Sequence, residues 1–179
     1  KSIISFSDSH SFWPFRLGRE ATIFNNADSY SEIIKQIREN SFIGTIETDP
    51  AYGKYHYDGH RLCKFSSSPE ETKKLEGICP VCGKQLTIGV NYRVGKLKDQ
   101  PIEDNPNKKL FYKLLPLHEL IAFNFKTSMT SKKVWGSYNS LISKFGNEFN
   151  ILLNINEVDF LRQDVDKKLI ELILKNRGG

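Results

Sequence analysis

The sequence predicts an α+β fold that ends in a helical part, and three observations lead to this prediction. The first 48 residues place an apolar helical spacing between two strand-like runs, as a small α/β piece would. Residues 49–97 are rich in Gly, Tyr, His, Cys and Pro and lack a long amphipathic period. Residues 98–179 carry two helical stripes of apolar residues. We therefore divide the chain into segments 1–48, 49–97 and 98–179.

The first segment is expected to begin with a short buried strand. Residues 3–6 include two isoleucines and a phenylalanine, and they stop at the polar run Ser7-Asp8-Ser9-His10-Ser11. Apolar side chains at positions 33, 34 and 37 predict a helix over residues 31–38. A second strand is expected over residues 42–47.

The last segment is expected to form a linker and then two helices. Charged residues interrupted by two prolines predict a linker or exposed loop at 98–107. The second helix has Asn156 as a plausible N-cap and Gly178 near its end. The apolar faces are formed by Val134, Tyr138, Leu141, Ile142 and Phe145 in the first helix, and by Val158, Leu161, Val165, Leu169, Leu172 and Ile173 in the second. Both faces are expected to be core.

Two pairs of metal-ligand residues in the middle segment predict a structural zinc site. His60 and Cys63 are separated by two residues, as are Cys79 and Cys82, and fifteen residues lie between the pairs. A two-residue gap lets a tight turn direct both side chains at one ion, and four protein ligands leave no open position for a reacting water. His56 is the alternative fourth ligand, but only His60 reproduces the two-residue gap to Cys63.

The stretch between the pairs predicts a short helix. Ser68-Pro69-Glu70-Glu71 has the pattern of a capping box with proline at the first helical position, and Gly77 ends the turn. All three cysteines lie between residues 63 and 82, and an odd number of them is a poor basis for a disulfide framework. Metal binding explains them better than unrelated buried thiols do.

The polar run after the first predicted strand contains a second candidate site. Asp8 and His10 project to one face, where a carboxylate and an imidazole could share a metal. Trp13, Arg16 and Arg19 follow, and aromatic rings beside arginines suit phosphates and stacked or flipped bases. The alternatives are a capping aspartate with a surface histidine, and a packed loop with solvated charges.

A similar mixture of aromatic and basic residues precedes the first zinc ligand. Lys54, Tyr55, His56, Tyr57 and Arg61 are candidates for contacts with nucleic acid. The alternative is that the tyrosines only pad a small zinc module.

Composition adds weaker constraints. Of the 179 residues 39% are hydrophobic and 26% charged, and the formal net charge of +5 favours an acidic partner such as nucleic acid. The sequence has neither a bilayer-length apolar run nor a signal-peptide pattern, so no membrane association is expected and the cytoplasm is the predicted location. Because residues 1–6 lead straight from a lysine into a strand-like run, we interpret the chain as a fragment of a longer protein.

Several of these motifs occur together in an order that resembles the endonuclease Q family, a group of DNA-repair nucleases. The resemblance extends over nearly the whole chain. It is carried by Ser7-Asp8-Ser9-His10-Ser11, Trp13-Pro14, Gly18-Arg19-Glu20, Gly53-Lys54-Tyr55-His56-Tyr57-Asp58-Gly59-His60-Arg61, Ile78-Cys79-Pro80-Val81-Cys82-Gly83, Lys133-Val134-Trp135 and Glu148-Phe149-Asn150-Ile151-Leu152-Leu153.

The resemblance implies a fold, a reaction and a partner. The family has a polymerase and histidinol phosphatase (PHP) domain, then a zinc module and a helical region, so residues 1–48 would be a PHP remnant. It cleaves DNA on the 5′ side of hypoxanthine, uracil or an abasic site, which makes damaged DNA the expected partner. Asp8 and His10 match the last metal-binding motif of the PHP domain, where divalent ions activate a water.

The same resemblance indicates that this chain alone is inactive. A PHP site also needs an upstream His-x-His and further ligands, and nothing before Asp8 supplies them. Two alternatives remain from other classes: a non-catalytic zinc-ribbon module that binds nucleic acid or protein, and a PHP-type phosphatase for a small metabolite.

Overall fold

The computed structural model describes residues 2–53, 56–98 and 109–178, which form short strands and mostly short helices. In chain order the elements are β1 (Ala21–Ile23), α1 (Tyr30–Glu39), β2 (Gly44–Glu47), β3 (Asp58–His60), β4 (Phe65–Ser67), α2 (Pro69–Lys74), α3 (Val90–Leu97), β5 (Leu110–Lys113), α4 (Leu117–Phe125), α5 (Lys132–Phe145), α6 (Glu148–Leu153), α7 (Glu157–Arg162) and α8 (Lys167–Arg177). The predicted α+β class is confirmed.

The chain forms two compact units. Unit 1 comprises Lys1–Thr48 and Lys109–Gly179, and unit 2 comprises Asp49–Lys108. The division into a PHP remnant, a zinc module and a helical region stays a prediction. The predicted linker lies outside the described residues except for residue 98. Among the described residues, no helix has the length and apolar character needed to cross a bilayer.

The sheet of unit 1 has β2 as its central strand. β1 pairs with β2 in antiparallel orientation, and β5 pairs with the other edge of β2 in parallel orientation. A Cβ atom at Gly44 would lie 2.5 Å from the carbonyl oxygen of Leu110, so glycine is needed for β5 to approach this closely. Ile46 on β2 is 2% exposed and links the sheet to the helical core.

Helices α4 to α8 pack around that core. The α4 helix contacts both α5 and α8, and α6 contacts α5 and α8. The buried residues are Ile46, Leu114, Leu117, Leu120, Ile121, Ala122, Val134, Leu141, Ile151, Leu152, Phe160, Leu169, Ile170 and Ile173. Helix α5 confirms the first predicted C-terminal helix, with Val134 and Leu141 fully packed.

The second predicted C-terminal helix is wrong as a single element. The chain breaks between α7 and α8, where Asp164 adopts a φ of 54° and the Asp166 carboxylate accepts the Leu169 N–H as the N-cap of α8. Val158 and Leu161, expected in the core, are exposed. The apolar stripe continues in phase across the break, so spacing alone could not reveal it.

The predicted first strand is also wrong, whereas the helix and the strand predicted directly after it are confirmed. Residues 3–6 are not in a strand, and Ile3 is 79% exposed. The Ser5 N–H donates to the Thr22 hydroxyl, which in turn donates to the Ser5 carbonyl, so a side chain takes the place of a strand ladder. Helix α1 and strand β2 form as predicted, each within two residues of the expected bounds.

The described residues of unit 2 form a two-stranded hairpin, two α-helices and a small core. Strands β3 and β4 pair in antiparallel orientation. The Ser68 hydroxyl accepts the Glu71 N–H at 3.2 Å at the start of α2, which confirms the predicted capped helix. Among the described residues of this unit, Leu86 is the one large aliphatic side chain in the buried set, beside Cys79. A core this thin needs an additional stabilising element.

Candidate metal centre and nucleic-acid interface

The four predicted zinc ligands lie together in unit 2. One ligand atom from each of His60, Cys63, Cys79 and Cys82 lies within 4.8 Å of the others. Among the described residues, these four form the one group of three or more His, Cys, Asp or Glu side chains that could hold a metal ion. The sequence pairs therefore meet at one point of the fold.

The first pair is positioned by the end of β3. His60 is the last residue of the strand, and a 3₁₀ turn over Arg61–Cys63 follows at once. Lys64 then adopts a φ of 50°, and its N–H donates to the Arg61 carbonyl at 3.1 Å. This tight turn brings the Cys63 sulfur back to the His60 ring.

The second pair lies in a hairpin turn with the geometry of a zinc knuckle. The Cys79 N–H donates to the Lys84 carbonyl at 2.8 Å, and the Gly83 N–H donates to the Cys79 carbonyl at 2.9 Å. Gly83 has a φ of 70°, a region in which a residue with a side chain is strained. Glycine therefore allows the backbone to curl around the two sulfurs.

The distances fit a tetrahedral ion. The His60 Nδ1 atom lies 3.0 Å from the Cys63 Sγ and 3.3 Å from the Cys82 Sγ. Bond lengths of about 2.0–2.3 Å in a tetrahedral zinc site place neighbouring ligand atoms roughly 3.5–3.8 Å apart. Small side-chain shifts convert the observed group into such a site, with Nδ1 as the histidine ligand atom.

The thiols of this group have shifted pKa values. The hydrogen bond with Cys82 and then desolvation raise the pKa of Cys63 to about 11. Desolvation also acts to raise the pKa of Cys79, but hydrogen bonds from the backbone N–H groups of Val81 and Cys82 and from the Cys82 and Cys63 side chains together lower it. Several thiolates this close repel one another, and a divalent soft cation removes that cost.

The structure places His56, the alternative ligand, outside this group. Its ring lies edge-on to Tyr57 at 4.5 Å, and its Nδ1 is buried with no hydrogen-bond partner among the described residues. His60 is therefore the fourth residue that the fold offers.

Four candidate residues, Asp8, His10, Arg16 and Arg19, line one open cleft in unit 1. The cleft has a volume of about 260 Å³ and is lined by residues 7–11 together with Arg16 and Arg19. The His10 Nδ1 lies 2.7 Å from the Asp8 carbonyl oxygen, and Asp8 adopts a φ of 44°. Two arginines thus share a cleft with a carboxylate and an imidazole, which is a suitable lining for a phosphate with bound cations.

Arg19 lies at the cleft and is half-buried. Its guanidinium lies 4.0 Å from the Glu20 carboxylate, and its Nε is buried without a partner among the described residues. Glu20 accepts the Thr48 hydroxyl at 2.6 Å, which ties this part of the loop to the end of β2. Arg16 is exposed, and its guanidinium carbon lies 5.9 Å from the centre of the Phe15 ring.

Trp13 lies in an aromatic stack and is half-buried. Its ring stacks on Phe12 at 4.8 Å and on Phe15 at 5.7 Å, and Trp135 lies at 6.1 Å. Phe12 is the outer ring of the stack and is 77% exposed. The alternative of a packed loop thus describes Trp13, while the role of this ring in contacting DNA stays a prediction.

Sequence reasoning did not find the histidine that lies beneath that stack. His118 is fully buried, with ring contacts to Phe15 at 5.3 Å, to Trp135 at 4.8 Å and to Tyr138 at 3.9 Å. Both ring nitrogens lack a partner among the described residues, and desolvation lowers the pKa of His118 to about 4. A neutral imidazole therefore supports the loop that carries the two arginines.

A half-buried carboxylate completes this network. Glu148 accepts the Tyr138 hydroxyl at 2.9 Å and the Leu117 N–H at 2.8 Å at the start of α4. Burial raises the pKa of Glu148, and these two hydrogen bonds oppose the rise. Burial and the nearby Glu148 carboxylate raise the pKa of Tyr138. No local pattern could have identified this network, because its contacts join the loop that contains Phe15 to helices α4, α5 and α6.

The second basic and aromatic tract belongs to unit 2. Lys54 and Tyr55 lie outside the described residues. Tyr57 is 50% exposed, and Arg61 is exposed at the first ligand turn. The prediction that each of these two tracts contacts nucleic acid stays untested.

Comparison with known proteins places these features in a family context. The family model described as the MJ0043 C-terminal domain matches residues 116–179. The uncharacterized protein MJ0043 of Methanocaldococcus jannaschii is 35% identical over 182 residues, which cover 98% of this chain and 23% of that relative. The lesion-specific endonuclease PfuEndoQ from Pyrococcus furiosus has a solved structure with a TM-score of 0.83 and 27% identity over 96% of this chain. The chain is structurally similar to endonuclease Q.

A second endonuclease Q structure gives the same result. It is a complex with a 27-mer duplex substrate that has an abasic lesion at the active site, and it matches with a TM-score of 0.83 and 26% identity over 98% of this chain. The chain spans 43% and 45% of the two endonuclease Q structures. The resemblance predicted from the ordered motifs is confirmed, together with a relation to DNA-repair endonucleases.

Proposed function

We propose that this chain is the DNA-binding portion of a metal-dependent DNA-repair endonuclease that cleaves on the 5′ side of deaminated bases or abasic sites. The observation that carries the proposal is the cleft of unit 1, where Asp8 and His10 share a lining with Arg16 and Arg19. Such a lining is suited to a phosphodiester, because the guanidinium groups can bind the non-bridging oxygens. The similarity to a DNA-bound endonuclease Q supports this assignment.

The zinc site has a structural role in this proposal. His60, Cys63, Cys79 and Cys82 would occupy all four positions of a tetrahedral zinc ion, so no position remains for an activated water. The ion would hold Arg61 and Tyr57 on a folded unit 2, where both side chains are exposed. Zinc therefore contributes to DNA binding through folding.

The reaction would need divalent ions that this chain binds only in part. Asp8 and His10 offer two ligand atoms, and they are not in a group of three or more such side chains within the described residues. Divalent ions at a complete site would activate a water for attack on phosphorus. The residues of this chain would bind and orient the phosphate next to that site. We therefore propose that the chain alone binds DNA without cutting it.

Binding measurements with matched arginine variants test the proposal. Arg16→Ala and Arg19→Ala should weaken binding of the 179-residue chain to duplex DNA and lower the slope of log K against log salt by about 1 for each lost phosphate contact. Arg38→Ala is the matched control, because Arg38 is exposed on α1 of the same unit and outside the cleft. Equal effects at Arg38 and Arg19, or no binding to DNA at low salt, would refute the assignment.

One alternative keeps a specific observation in its favour. A non-catalytic zinc module that binds nucleic acid or protein agrees with the ligand group of unit 2 being complete while Asp8 and His10 lack a third ligand among the described residues. A phosphatase for a small metabolite is less well supported, because both solved structures are DNA endonucleases.

A further inference from the structure

The two turns that carry the zinc ligands present apolar side chains to solvent. Leu62 lies in the first turn and is 85% exposed, and Val81 lies in the second turn and is 66% exposed. Each directly precedes a ligand, Cys63 or Cys82, so the compact ligand group holds both residues at one end of unit 2. We call Leu62 and Val81 the knuckle tips. Exposed apolar side chains on well-ordered turns can form a binding surface.

The backbone beneath the knuckle tips is held by hydrogen bonds. The first tip lies within the 3₁₀ turn closed by the Lys64 N–H, and the second lies within the turn closed by the Gly83 N–H. A bound zinc ion would cross-link the two turns through the four ligands. A surface ordered in this way loses little conformational entropy when a partner binds.

The charge around the tips indicates the chemistry of that partner. Residues 60–67 and 77–88 contain Arg61, Lys64 and Lys84 and no aspartate or glutamate. All three cations are exposed. A zinc ion with three thiolates has a net charge of −1, so these two stretches with a bound ion carry a net charge of +2. Apolar tips with cations close by in both turns complement DNA, which has an anionic backbone and apolar base faces.

We propose that the knuckle tips form an apolar wedge that contacts the base faces exposed where a DNA duplex is distorted at a lesion. Arg61, Lys64 and Lys84 contact the neighbouring phosphates and bring the tips to the duplex. Leucine and valine of this kind can occupy a gap between base steps, which an intact stack does not offer. The inference rests on the proposed function, because it requires that the chain bind DNA.

Substitution of the tips separates this role from charge. The double variant Leu62→Ser with Val81→Ser should bind a duplex with a tetrahydrofuran abasic site roughly tenfold more weakly or worse, since each tip buries an apolar side chain. Binding to the intact duplex and its salt slope should change less than twofold, because the cations remain. Val94→Ser is the matched control: Val94 is 56% exposed on α3 of the same unit. Leu62→Met should retain the preference, because it keeps an apolar tip.

A fluorescent base reports the wedge directly. The 179-residue chain should increase the fluorescence of 2-aminopurine placed next to the abasic site, as unstacking does, and the double variant should not. Zinc content must remain at one ion per chain in the variants compared. If the double variant loses zinc, the single variants Leu62→Ser and Val81→Ser replace it. Each is expected to reduce both the affinity for the abasic duplex and the increase in 2-aminopurine fluorescence.

The possible outcomes distinguish this inference from the proposed function. If the unmodified chain binds neither duplex, the proposed function and the wedge are both wrong. If it binds and the double variant keeps the lesion preference, or loses affinity for both duplexes equally, the wedge alone is wrong. Self-association in sedimentation that disappears in the double variant would make the tips a protein interface and overturn the proposal.

Discussion

Removal of the zinc ion is expected to unfold unit 2 and leave unit 1 folded. Among the described residues of unit 2, Leu86 is the one large buried aliphatic side chain, and its burial contributes about 1.5–3 kcal/mol. Structural zinc contributes about 10–16 kcal/mol in zinc-finger peptides at neutral pH, whereas a whole domain is stable by only about 5–15 kcal/mol. The metal therefore dominates the stability of unit 2.

Hydrogen exchange measured by mass spectrometry can follow the two units separately. After chelation, peptides from residues 58–90 should lose protection, while peptides from α4 to α8 should keep it because unit 1 has its own apolar core. His60→Asn should produce the same loss without a chelator. The matched variant His56→Asn should retain one zinc per chain, because His56 lies outside the ligand group.

Three results would refute this reasoning. Protection of residues 58–90 in metal-free protein would mean that contacts other than the metal stabilise unit 2. Loss of protection in both units at once would mean that they fold as one. Retention of zinc by His60→Asn with loss in His56→Asn would reverse the ligand assignment.

Three further predictions concern unit 1. The 179-residue chain should not incise a duplex with deoxyinosine in magnesium or manganese; specific incision that Asp8→Ala abolishes would contradict this. Arg19→Ala should weaken binding to damaged and undamaged duplexes equally in an anisotropy titration, whereas Trp13→Ala, if its ring reaches the base, should mainly reduce the preference for damage. His118 is neutral when folded, and its pKa falls from 6.5 to about 4, so unit 1 should lose up to roughly 3 kcal/mol of unfolding free energy as the pH falls from 6.5 to 4. His118→Phe should remove that part of the pH dependence in denaturant titrations, and an unchanged profile in the variant would count against the role of His118.

The zinc group was predictable because its information is local. Each ligand pair lies within one tight turn, and the turn residues Lys64 and Gly83 adopt the left-handed backbone that such turns use. The spacing of each pair therefore determined the direction of both side chains. The sequence left His56 as an alternative to His60 for the fourth zinc ligand. The structure favours His60, because β3 ends at this residue and the turn that contains Cys63 follows directly.

The support of the arginine cleft could not be predicted in the same way. His118 contacts Phe15 from more than 100 positions away in the sequence, and Tyr138 meets Glu148 across two helices. A single buried histidine in an apolar stripe has no motif, and both of its ring nitrogens are unpaired among the described residues. Residues 3–6 show the opposite error: a strand-like composition formed no strand, because strand formation depends on a partner strand.

The separate origins of stability in the two units allow the role of zinc in DNA binding to be measured. Unit 1 contains the arginine cleft and has a large apolar core, so chelation should leave its phosphate contacts in place. Unit 2 contains Arg61 and the knuckle tips, and these depend on the metal for their positions. If both units bind DNA, chelation should lower both the affinity and the salt slope by a fixed amount and no further, and re-addition of zinc should restore both. If only one unit binds, chelation should either abolish binding or leave it unchanged.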